Sequence, residues 1–285
     1  MEIQILGPLE ARENGRCIAP SAAKPRQILA LLALHAGKVV PVPTLFEELW
    51  GENPPRSART TLQTYVMQLR RLIASALDGS PRDAKDLLHT RFGGYRLDLP
   101  SECVDACAFE RIAEAGVRAF DAGDMQAATR LLRTSLEMWQ GQALVDVSIG
   151  LVLSMDVTRL EEARLVALEL RIEADLRLGR HQALLSELAM LTARHPMNEN
   201  LCAKYMVALY RSGRQWRALE AYARLRDTLV EELGVDPSVR MRRLQQLILS
   251  SDATLDPRDN GFAEELRYAP GASHAATLQV DSSPA

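Results

Sequence analysis

The chain has 285 residues, 47% of them apolar and 25% charged, which excludes a collagen-like or low-complexity polymer and leaves room for two domains of ordinary size. Its formal charge of −3 excludes a protein that coats nucleic acid or membrane indiscriminately, so any contact with a polyanion must be local. The charge is uneven: residues 1–98 hold 13 Lys and Arg against 10 Asp and Glu, residues 99–285 hold 21 against 27, and no acid occurs between Asn53 and Leu77.

The opening MEIQILGPLE lacks a basic leader, and no run of about 18 apolar residues follows anywhere. The expected location is the cytoplasm. Cys17, Cys103, Cys107 and Cys202 are too few and too scattered for a disulfide framework or a zinc site, and are read as reduced thiols, mostly packing residues.

In chain order, EIQIL (2–6) reads as a strand, and Asn14-Gly15 as a hairpin turn between Leu9–Arg12 and Arg16–Ala19. QILALLALHAG carries leucines at 29, 31, 32 and 34, too dense for one face, so this helix should be largely buried and end at Gly37. A short helix is expected over Val42–Trp50, broken by the turn GENPP, with Ser57 as the N-cap of the next. In that next helix Leu62, Tyr65, Val66, Leu69, Leu72, Ile73 and Leu77 recur at helical spacing and form an inward stripe. The opposite side carries Thr60, Thr61, Thr64, Met67, Gln68 and Arg71, and one flank carries Arg56, Arg59, Gln63 and Arg70. Gln and Arg can bond base edges bidentately, threonine can meet a thymine methyl or a phosphate, and flanking arginines can neutralise phosphates, which suits a helix lying in a DNA major groove. Most polar helical stripes are solvated faces, but an acid-free stretch this long in a chain with 37 acids, followed by a basic hairpin, favours the DNA reading. LLHTRFGGYRLDL then reads as a hairpin around Phe92-Gly93-Gly94, with Thr90, Arg91, Tyr95 and Arg96 as candidate contacts. Helix plus hairpin is a winged-helix arrangement, although Tyr95 suits the core equally.

From about Asp105 the pattern is helix after helix. GDMQAATRLL, GRHQALLSEL and GRQWRALEAY share a Gly followed by apolar residues five and nine positions on. Gly179 and Gly213 stand 34 residues apart, the tetratricopeptide period, whereas Gly123 and Gly179 stand 56 apart, so the first interval carries extra chain around WQGQALVDVSIGLVL. A generic helical bundle remains the alternative. Trp139, Trp216 and Tyr222 are read as core and assigned no ligand. Residues 251–285, rich in Pro, Gly, Ser, Ala and Asp, read as a flexible tail.

Several stretches taken together, ILGPLEARENGR, KPRQILALLALHAGKVVPVPTLFEELWG, PPRSARTTLQTYVMQLRRL, TRFGGYRLDL, LEEARLVALELRIEADLRLGRHQALLSEL and LYRSGRQWRALEAYARLRDTLVEELGVDPS, resemble the Streptomyces antibiotic regulatory protein (SARP) family over residues 1 to about 250. The second of them is most similar to short members that switch on aromatic polyketide clusters. The resemblance implies a mainly α fold: an OmpR-type winged-helix DNA-binding domain (1–98), then an all-α tetratricopeptide-like bacterial transcriptional activation domain (99–250). It implies a pathway-specific activator that binds direct repeats in double-stranded DNA near the −35 element, as copies side by side about one turn apart (roughly 10–11 base pairs), and that recruits RNA polymerase and its sigma subunit. By position, Arg59–Arg71 is the recognition helix, Thr90–Arg96 the wing, and the turn Gly51, Glu52, Asn53, Pro54, Pro55 the loop facing polymerase. No G-x-x-x-x-G-K-[ST] phosphate-binding loop such as larger relatives carry occurs in these residues, so control by ATP in cis is not expected, and neither is a receiver domain ahead of the winged helix.

No enzyme is expected. The five histidines fall in separate elements, and no H-E-x-x-H or G-x-S-x-G occurs. No cofactor or metal is called for. A helical-repeat interaction or ligand-sensing module, and a repressor with the same DNA-binding domain, are the alternatives.

Overall fold

A computed structural model describes residues 1–77, 83–252 and 255. The chain divides into two compact units, Met1–Leu178 and a second that begins at Gly179.

The first unit opens with a three-stranded antiparallel sheet, β1 (Glu2–Gln4), β2 (Glu10–Glu13) and β3 (Arg16–Cys17), in that order. Asn14 (φ 49°) and Gly15 (φ 76°) supply the two left-handed residues that a tight hairpin needs. Helix α1 (Ala23–Leu34) is buried from Gln27 to Ala33, as its leucine density requires. It starts two residues before Pro25, which sits in the first turn where a missing N–H costs nothing. A second sheet, in the order β4 (Val39–Pro41), β6 (Gly94–Leu97), β5 (Leu88–Arg91), carries the β5–β6 hairpin. Between its strands lie α2 (Val42–Trp50), α3 (Ala58–Ala76) and the short α4 (Ala84–Leu87). Ser57 stands at the N-cap position of α3 but its side chain makes no cap bond, because Ser57 lies near the helical region (ψ 9°) rather than extended.

Three helices complete this unit: α5 (Asp105–Asp121), α6 (Met125–Glu137) and α7 (Leu151–Arg177). Gly116 lets α5 and α6 approach, since a Cβ there would lie 2.7 Å from the Leu132 side chain. Within this unit carboxylates stitch the strands to the helices. Asp105 accepts the N–H groups of Ile5 (2.8 Å) and Leu6 (3.1 Å), and Asp146 accepts that of Leu9 (2.8 Å). Burial pushes the Asp105 carboxyl above its ordinary range, against the lowering effect of those backbone bonds. The extra chain foreseen around Trp139 forms a connection laid along the N-terminal segment. There Gln140 N–H donates to Leu6 O (2.7 Å) and Leu144 N–H to Ile5 O (3.0 Å).

The second unit holds α8 (His181–Arg194), α9 (Glu199–Arg211), α10 (Gln215–Leu233) and α11 (Val239–Leu249). Gly179 and Gly213 have φ of 74° and 73°, the left-handed turn that the repeat demanded. The core of α9 to α11 includes Met206, Ala218, Tyr222, Leu225, Leu244 and Ile248. Trp139 and Tyr222 are buried as expected, but Trp216 is 65% exposed. It lies at the start of α10, off the face formed by Ala218, Tyr222 and Leu225, with the Arg217 guanidinium over its ring. The foreseen tail lies outside the described residues except for its first positions, of which Leu255 is buried and its carbonyl accepts from Arg211 Nε at 3.0 Å.

All four cysteines are free. Burial pushes the Cys202 thiol up to about 12, so it stays protonated and inert, whereas Cys17 is exposed. A thiol reagent at neutral pH should therefore modify Cys17 within minutes and Cys202 only on unfolding. Mass spectrometry of the labelled native chain checks this, and early modification of Cys202 would contradict the packing of α9.

Candidate nucleic-acid interface

Helix α3 buries Ala58, Leu62, Val66, Leu69, Ile73 and Ala76 and half-buries Tyr65 and Leu72, so the inward stripe read from the sequence is the stripe that packs. Everything opposite it faces out. Arg59, Thr60, Gln63, Thr64, Met67, Gln68 and Arg71 are exposed, as are Arg56 and the whole turn Gly51–Pro55, and Thr61 is half-buried. Thr64 Oγ1 donates back to Thr60 O (3.0 Å), which uses its one donor and leaves the oxygen's acceptor capacity.

The helix is held at its C-terminal end. Its last carbonyls would be orphans, but Asn14 Nδ2 donates to Ala76 O (3.1 Å) and Arg16 donates to Ser75 O (2.7 Å). The β2–β3 hairpin thus caps α3, with a cation at the negative end of the helix dipole.

Farther along, Arg70 reaches the wing. It donates to Leu88 O through Nε (3.0 Å) and through a terminal nitrogen (2.8 Å), and to Thr90 Oγ1 (2.9 Å). Of the flank residues, Arg70 is therefore spent on fixing β5 against α3. The hairpin itself is pinned: Arg91 pairs with Gly94, Thr90 with Tyr95, and Val40 of β4 with Tyr95 on the other side.

Two wing expectations change. Tyr95 is buried, only 7% exposed, because side chains alternate along a strand and Tyr95 shares the inward face of β6 with Leu97. It is core, not a DNA contact. Arg96 points the other way but is half-buried and donates to Asp98 (2.6 Å), so its charge is already answered. The tip is also shorter than foreseen. Gly94 belongs to β6, where a Cβ would lie 2.3 Å from Val40 O, and Phe92-Gly93 alone make the turn. What remains outward is Thr90, Arg91 and Phe92. Phe92, unassigned on sequence grounds, is fully exposed. Its signal was an aromatic residue beside a Gly-Gly pair with no apolar partner at strand spacing.

The exposed side of α3, the turn before it and the wing tip carry arginines at positions 56, 59, 71 and 91, with no acid along α3 or from His89 to Leu97. Such a surface can neutralise phosphates at its edges and offer amide, hydroxyl and guanidinium groups to base edges at its centre. Among the described residues no group of three or more His, Cys, Asp or Glu could hold a metal, and no helix is long and apolar enough to cross a membrane.

Residues 20–97 match the model of the "Transcriptional regulatory protein, C terminal" family, and residues 104–249 that of the "Bacterial transcriptional activator domain". The chain is 56% identical over 257 residues to the regulatory protein DnrI of Streptomyces peucetius, covering 90% of this chain and 94% of that one. It is 36% identical to the transcriptional regulator RedD of Streptomyces coelicolor, over 90% of this chain and 72% of that one. Among solved structures, Mycobacterium tuberculosis EmbR in complex with a low-affinity phosphopeptide superposes with a TM-score of 0.83 at 33% identity, covering 93% of this chain and 67% of EmbR. With a winged helix followed by α-helical repeats, both family models matched in that order, and relatives that are transcriptional regulators rather than enzymes, the chain belongs to the Streptomyces antibiotic regulatory protein family of transcriptional activators.

Proposed function

We propose that the chain activates a secondary-metabolite gene cluster from the cytoplasm by reading double-stranded DNA, with α3 in the major groove and the wing on the adjacent backbone or minor groove. The observation that carries this is the acid-free outward face of α3, held rigidly by Asn14, Arg16 and Arg70. Gln63, Thr64, Gln68 and Arg71 are the base-reading candidates, with Thr60 and Thr61 beside them. Arg56, Arg59, Thr90 and Arg91 are the phosphate contacts. Residues 1–98 act as the DNA-reading module and 99–250 as the activation domain, and copies stand side by side on direct repeats near the −35 element. The exposed turn Gly51–Pro55 presents to RNA polymerase and its sigma subunit.

The test is retention of fragmented genomic DNA by the purified chain at near-physiological salt, with sequencing of what is kept. Enrichment of promoter fragments carrying a repeated element at a spacing of about one helical turn is expected. Retention that matches bulk DNA would reject the reading.

A further inference from the structure

Phe92 makes no use of the fold. Its exposure of 107% exceeds that of any other exposed large apolar residue among those described, and it stands where the chain is fastened rather than loose. Val42 N–H donates to Gly93 O (2.9 Å). Arg91 and Gly94 pair across the hairpin, and Gly94 pairs with Pro41 on the other side. Gly94 is seated so closely on Val40 that no side chain fits there. Arg70 ties the first wing strand to α3 at Leu88 and Thr90. The ring thus projects from a fixed point, at a set offset from the outward face of α3, with Arg91 beside it and no acid between Leu87 and Leu97.

An apolar ring on a rigid, locally cationic tip suits one occupant, a polyanion with an apolar interior. Stacked base pairs behind a phosphate backbone are such an occupant, whereas an apolar protein pocket gives the flanking arginine no role. Proteins that enter the minor groove commonly push an apolar side chain between base steps and so kink the duplex. We propose that Phe92 is such a wedge. Resting on the DNA-reading role of α3, it adds that the wing bends the duplex and so reads the deformability of the sequence flanking the α3 site. Flexible pyrimidine–purine steps under the wing are favoured over stiff A-tracts.

The experiment uses the full chain and promoter fragments retained from genomic DNA, and measures bend angle by end-to-end energy transfer, with affinity for fragments whose wing-proximal step is TA or lies within an A-tract. The wild type should bend the duplex by about 20° or more and prefer the TA fragment. Phe92→Ala should lose the bend and that preference and bind roughly tenfold more weakly, the loss of one buried ring, while still discriminating base changes under α3. Phe92→Leu, which keeps an apolar wedge, should retain most of the bend. A Phe92→Ala chain that bends DNA and prefers TA like the wild type overturns the wedge while leaving the α3 reading intact, which Gln68→Ala checks separately through base discrimination. A wild type without sequence preference removes both. A Phe92→Ala chain unchanged on DNA but unable to bind polymerase would assign the ring to a protein and overturn the wedge.

Discussion

Glu48→Ala is expected to destabilise the folded chain by about 3–5 kcal/mol, because it strands several buried donors at once. Glu48, on α2, is only 3% exposed. Its Oε1 accepts from Gln27 Nε2 (2.6 Å) and from Gly150 N–H (2.6 Å), and its Oε2 accepts from Leu153 N–H (2.9 Å). Gly150 is the N-cap residue of α7 and Leu153 lies in its first turn, so an acid from α2 caps a helix that begins about a hundred residues later. The first N–H groups of a helix have no partner within it, and its dipole favours an acid there. Alanine removes the carboxylate that Gly150 and Leu153 donate to, leaving Gln27 only the Glu48 main-chain carbonyl (2.8 Å). For a unit of this size, the melting midpoint should fall by roughly 10 °C. The exposed neighbour is the control: Glu47→Ala should stay within about 0.5 kcal/mol of the parent. Glu48→Gln, which keeps one acceptor but turns an amide toward an N–H, should fall between. A Glu48→Ala chain that melts with the parent would mean that α2 and the start of α7 do not share this carboxyl group. A cut at residue 98 would also remove the partners of Glu48, Ile5, Leu6 and Leu9 together, so that Ile5, Leu6 and Leu9 would present unanswered backbone donors.

Removing Gln68 and Arg71 together should cost about 2–6 kcal/mol of affinity at the specific DNA site, with each single alanine costing about 1–3 and relaxing preference at the base pairs it meets. Both side chains stand on the outward side of α3, and three residues apart they are neighbours on the helix surface, so any departure of the double variant from the sum of the singles measures the coupling between them. Arg59→Ala should behave differently. At the edge of the face it meets phosphate in this reading, so it should weaken all sequences alike and reduce the slope of log affinity against log salt by about 1. Titrations of specific and scrambled duplexes at several salt concentrations separate the two behaviours. If Gln68→Ala and Arg59→Ala gave equal losses on both duplexes, the division into base-reading centre and phosphate-holding edge would be wrong. Arg70→Ala offers an internal contrast. Since Arg70 holds Leu88 and Thr90, its loss should act by loosening the wing.

Local physics made much of this protein readable in its residues. The stripe of Leu62, Val66, Leu69 and Ile73 recurs at helical period, and burial on one side of a helix forces the remaining residues outward, so the candidate face of α3 followed once the stripe was seen. Gly179 and Gly213 marked helix ends because a left-handed residue there favours glycine, and Asn14-Gly15 marked a hairpin for the same reason. The acid-free stretch from Asn53 to Leu77 was likewise a property of the string. Other features depend on partners distant in sequence. Tyr95 went to the core because the face of β6 that it shares with Leu97 is the one turned inward when β6 pairs with β4 and β5, and which face turns inward is settled by pairing that includes a strand outside the hairpin. Arg70 became a brace because folding brought Leu88 to it. Asp105, Asp146 and Glu48 each serve backbone groups 99 or more residues away. A carboxylate that caps a remote N–H leaves no periodic trace, since any acid at that position would look the same. The sequence by itself determined the first three helices, the helical character of the second half with its glycine turns, the inward and outward sides of α3 and the family. Only the tertiary structure decided which charged groups are free to meet DNA and which are spent within the protein, because that depends on which distant backbone donors and acceptors folding leaves beside them.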